Sequence, residues 1–141
     1  MKCLHILFLL FSFNYLSAQS DSTNQQIDTT KIIPAKFSGG NAAWNKFLES
    51  NVNSNLIVTC GCVEIPYSET VAKVTATVRF LIDTSGNVTK VFVVNEKEID
   101  KVFVKEAMRV VAKSPKWIPA EQNNKKVSYI NTTSVRWLMS K

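Results

Sequence analysis

The stretch from Val71 to Ile82 constrains this chain more than any other. It sets Val74, Ala76, Val78, Phe80 and Ile82 on one face and Thr75, Thr77 and Arg79 on the other, the period-two pattern of a strand with one buried side. Asp83-Thr84-Ser85-Gly86-Asn87 has the chemistry of a turn, and Val88 to Asn95 reads as a second strand. The two predict an antiparallel hairpin.

What covers the hairpin follows directly. Asp100 is suited to cap a helix running to about Lys113, with Phe103, Val104, Ala107, Met108, Val110 and Val111 on one side and Lys101, Lys105, Glu106, Arg109 and Lys113 on the other. Pro115 ends it, because its ring removes a backbone donor and disfavours helical geometry at Ser114. Lys116-Trp117-Ile118-Pro119 must then be extended, Asn123-Asn124 turns, and Val127 to Met139 reads as a long last strand with Val127, Tyr129, Val135, Trp137 and Met139 sharing a face. Upstream, Asn41 is a candidate N-cap for a helix carrying Ala43, Trp44, Phe47 and Leu48 and stopping near Asn51; the segment from Asn53 to Glu69 reads as loop, with a short extended piece at Leu56 to Thr59. The expected fold is α+β: a small antiparallel three-stranded sheet packed against helices, a β-β-α-β core with a preceding helix, and an open sheet edge.

Composition narrows the function. The chain has 141 residues, 45% of them hydrophobic, with 17 basic and 11 acidic side chains, which suits one small domain. Residues 1–18 have a basic start, an apolar core from Leu4 to Phe13 and small residues at Ser17-Ala18, the layout of a secretory signal cleaved near Ala18. Uncleaved, it would anchor the chain in the inner membrane. Cys3 precedes the apolar run, so no lipoprotein signal is expected. Residues 19–36 are rich in Ser, Thr, Asn, Gln and Asp and read as a disordered tether, leaving 37–141 as the domain. Cleavage would remove His5, the only histidine, and with it any Ser-His-Asp triad, Cys-His pair or imidazole metal site. The remaining acids, such as Asp83 and Asp100, fall where turns and caps need them. No catalytic constellation, cofactor or metal site is expected.

Three groups of residues resemble a known family, the carboxy-terminal domain of TonB, in the form common in exported envelope proteins of Bacteroidetes. They are Phe37-Ser38-Gly39-Gly40 with Ala43, Phe47-Leu48 and Asn51; Val78-Arg79-Phe80-Leu81-Ile82-Asp83 with Gly86-Asn87-Val88; and Glu106-Ala107-Met108-Arg109-Val110-Val111 leading into Ser114-Pro115-Lys116-Trp117-Ile118-Pro119-Ala120. The third is the specific one. Departures occur as well: Val52-Asn53-Ser54-Asn55 replaces the usual Leu-x-Tyr-Pro element, a segment with Cys60-Gly61-Cys62 is inserted, and Asn123-Asn124-Lys125 stands where Asn-Gly-Lys is common. The resemblance implies a non-catalytic periplasmic domain whose last strand pairs with an extended segment, the TonB box, of an outer-membrane TonB-dependent receptor. A full transducer also carries a membrane anchor and a long spacer, and the tether here is short for that task.

The residues offered for that contact are Ser128, Ile130, Thr132 and Ser134, on the face away from Tyr129 and Trp137. The competing reading makes the last strand an interior strand or a homodimer seam. Trp117 is a candidate surface hot spot, against the structural reading in which it seals the core. Lys101, Lys105, Arg109 and Lys113 form a basic stripe, read as a solvated face or as a contact for peptidoglycan or lipid; nucleic acid is not an expected partner of an exported chain. Cys60 and Cys62 could form a disulfide across a very small ring, pair between molecules or stay free, or serve thiol redox chemistry. A self-pairing or cell-wall-binding envelope domain is the alternative function.

Overall fold

A computed structural model describes residues 31–141. The signal segment and most of the expected tether lie outside the described residues. The strand β2 (Val71–Ile82) occupies the predicted residues and forms the centre of a three-stranded antiparallel sheet, with β3 (Val88–Val93) on one side and β7 (Tyr129–Ser140) on the other. β7 pairs with β2 from Tyr129 opposite Ile82 to Ser140 opposite Val71. The sheet order β3-β2-β7 leaves β7 at an edge, so it is not an interior strand.

One face of this sheet is packed and the other is open. Ala76, Val78, Phe80, Ile82, Val93, Val135 and Trp137 are buried beneath the helix α3 (Lys101–Ala112), which contributes Phe103, Ala107, Val110 and Val111. Asp100 caps α3 as its sequence predicts, its carboxylate accepting from the Val102 amide at 2.9 Å. Met108, expected in the core, is 38% exposed at the margin of the apolar stripe.

Glycine decides how the hairpin turn meets the rest of the fold. The Asp83 carboxylate accepts from the Ser85 and Asn87 amides, and these bonds hold its pKa below the ordinary value, the Asn87 amide contributing most. Gly86 has φ +86°, and its carbonyl accepts from the Trp117 amide at 2.8 Å. A methyl group on Gly86 would overlap the Trp117 carbonyl oxygen. The Pro-Lys-Trp-x-Pro segment is thus docked on the hairpin turn through its backbone.

Several expectations require correction. The helix α1 (Gly40–Asn51) is preceded by Gly39 at φ +86°, so a left-handed Gly39-Gly40 turn, not the Asn41 side chain, opens it. Leu56–Thr59 is a helical turn, α2, rather than an extended piece; it buries Ile57. The last strand is broken. Its first part, β6 (Lys125–Val127), pairs with β5 (Ala120–Gln122) across the Asn123-Asn124 turn, where both asparagines take positive φ, and Ser128 is the joint before β7. Residues 33–37, partly assigned to the tether, belong to the fold. Ile33 bridges to Glu121, Ala35 is buried, and β1 (Lys36–Phe37) pairs with β4 (Trp117–Ile118).

Candidate functional site

Backbone direction along β2 determines what β7 presents to the outside. The Thr77 carbonyl accepts from the Val94 amide, the Thr77 amide donates to the Asn95 side chain, and the Thr75 carbonyl accepts from that same side chain. Odd-numbered β2 residues therefore direct their backbone groups toward β3, and even-numbered ones toward β7. The residues of β7 opposite the even set are Tyr129, Asn131, Thr133, Val135, Trp137 and Met139. Their neighbours Ile130, Thr132, Ser134, Arg136 and Leu138 consequently aim N–H and C=O groups at the open edge.

Three of the four expected contact residues, Ile130, Thr132 and Ser134, lie on this edge with their side chains exposed. Ser128 does not, because the chain turns there into β6. Arg136 and Leu138 continue the edge in the same phase but were not among the expected residues. Their signal was the alternation itself, which extends past Ser134. Among the edge donors, the Thr132 amide has an acceptor within the chain, the neighbouring Asn131 side chain at 2.8 Å.

The helix α1 forms a wall beside the edge. Trp44 of α1 donates its indole N–H to the Thr133 hydroxyl at 2.9 Å, and the Trp137 indole donates to the Asn53 carbonyl just beyond the helix at 3.1 Å. Between these ties lies a groove of about 400 Å³, lined by Asn45, Leu48, Glu49 and Val52 with Ser54, Ser134 and Arg136. A second groove, of about 330 Å³, opens where Phe37, Gly40, Asn41 and Trp44 approach Asn131 to Thr133.

The sequence's most specific motif holds the wall in place. Glu106 accepts from the Asn53 amide at 2.8 Å, and Arg109 donates to the Asn51 carbonyl at 2.8 Å while pairing with Glu106. The Arg109 guanidinium holds the Glu106 carboxyl below its ordinary range against the opposing effect of burial. Arg109 is therefore a clamp between α3 and the end of α1, and Lys113, which caps the end of α3, adds its charge to the field on Glu106, so of the expected basic stripe Lys101 and Lys105 are left outside this cluster.

Trp117 is 6% exposed, with its ring 5.0 to 5.3 Å from those of Phe37, Trp44 and Phe80. It seals the core and is not a surface anchor. Cys60 and Cys62 are joined as a disulfide at the end of α2. Among the described residues no group of three or more His, Cys, Asp or Glu is placed to hold a metal ion.

Residues 72–139 match the model of a family described as the Gram-negative bacterial TonB protein C-terminal. No curated protein and no solved structure matches the chain.

Proposed function

From the membership of residues 72–139 in the TonB C-terminal domain family, which serves energy-coupled transport, we propose that the open edge of β7 receives an extended segment of an outer-membrane TonB-dependent receptor. The observation that supports this reading is the combination of a twelve-residue strand paired on one side alone and a grooved wall, α1, standing beside its free side. A strand added there gains main-chain hydrogen bonds from Ile130, Ser134, Arg136 and Leu138, while its alternate side chains enter the grooves. The domain acts in this reading as a binding module and carries out no covalent chemistry.

Among the described residues no helix is long and apolar enough to cross a membrane. The domain is read as exported to the periplasm by a signal cleaved near Ala18, and as anchored in the inner membrane where that signal stays uncleaved. Titration with a peptide from a receptor's amino-terminal box is expected to shift backbone amides along Tyr129 to Ser140. The absence of shifts there at millimolar peptide overturns the reading.

A further inference from the structure

The three strands of the main sheet contain four charged residues, Lys73, Arg79, Lys90 and Arg136, and no Asp or Glu. All four are exposed. Register puts all four on the same outer face: Arg79 lies opposite Phe92 and Thr132, Lys90 opposite Leu81, Lys73 opposite Leu138, and Arg136 opposite Thr75. These outer-face residues alternate with the inward set that packs under α3. None of the four cations is in an ion pair among the described residues.

This face continues into the β7 edge, because Ile130, Thr132, Ser134, Arg136 and Leu138 point their side chains outward and their backbone groups toward the opening. Side chains directly opposite one another on neighbouring strands share a face, where opposite charges attract and like charges repel. A strand added to β7 therefore lays every second side chain beside Arg136, within the field of Lys73 and Arg79. Its other side chains turn inward toward α1, where Leu48 and Val52 offer apolar surface and Glu49 repels an acid.

Resting on the strand-pairing reading above, we propose that the β7 edge selects an extended segment that is acidic on one side and apolar on the other, with its Asp or Glu side chains on the outer sheet face beside Arg136. The same geometry rejects a segment whose outward side chains are basic.

The test uses the full-length protein, isotope-labelled and held in mild detergent, titrated with three nine-residue peptides in which valine alternates with glutamate, with threonine or with lysine. The glutamate peptide is expected to bind at least tenfold more tightly than the lysine peptide, with shifts centred on residues 130–138 and an advantage that shrinks as salt rises. Arg136→Glu is expected to reverse the order; Arg136→Gln, which leaves the exposed site uncharged, to diminish it. Equal affinities for all three peptides, with shifts still along β7, overturn the charge selection and leave strand pairing standing. Shifts confined to Lys90 and Phe92, or none for any peptide, overturn both.

Discussion

Glu106 and Arg109 sit on the helix face that sequence reasoning gives to solvent, and the structure uses them as a clamp on the end of α1. Their targets are backbone groups of Asn51 and Asn53, more than fifty residues away. No local pattern reports such a contact. The depressed Glu106 pKa means that its contribution is fully present above the ordinary carboxylate value of 4.5 and is lost as pH falls through the lower folded value. Glu106→Gln is therefore expected to cost about 1 kcal/mol near pH 7, and the gap to the unsubstituted protein should close below about pH 4.5 in denaturant titrations. A gap independent of pH would contradict the clamp. Gly86 is the second case. The turn chemistry of Asp83 to Asn87 was legible, but the reason for glycine was not, because Trp117 lies 31 residues downstream. Gly86→Ala combines positive φ with a blocked approach and is expected to lose about 2–3 kcal/mol by thermal or chemical unfolding.

At the scale of elements, alternation was the strongest guide where a strand has one buried side, and β2 and α3 lie where their patterns put them. The reading weakened where elements are short. β1 and β4 are two residues each, and each exists because the other is beside it. The stretch from Val127 to Met139 keeps one phase of alternation, so nothing in it marks the change of partner from β5 to β2 at Ser128. For the same reason most of the candidate edge was legible, since phase alone separates Ile130, Thr132 and Ser134 from the inward set. The α1 wall was not, because the Trp44 to Thr133 bond spans 89 positions. Phase also supplies a paired test. Ser134→Pro removes an N–H that faces the opening, so the fold should survive with a loss of about 1 kcal/mol or less while receptor-peptide binding disappears. Val135→Pro removes an N–H that faces β2 and should lower stability by about 3 kcal/mol. Equal effects of the two on stability would refute the assigned edge.

At the scale of the whole molecule, the elements outside the three-stranded sheet bear on one strand edge. The hairpin turn docks the Trp117 segment, Trp117 packs on Phe37 and Trp44, Trp44 ties α1 to β7, and the Glu106–Arg109 pair holds the far end of α1. The result is a long edge with one paired side and one open side, fixed beside a wall. Amide hydrogen exchange along β7, with and without a receptor's amino-terminal peptide, tests this most directly. The account predicts that Asn131, Thr133, Val135 and Trp137 are protected in the free protein, and that Ile130, Ser134, Arg136 and Leu138 gain protection when the peptide is added. Protection gained uniformly along the strand, or gained only outside β7, would contradict it.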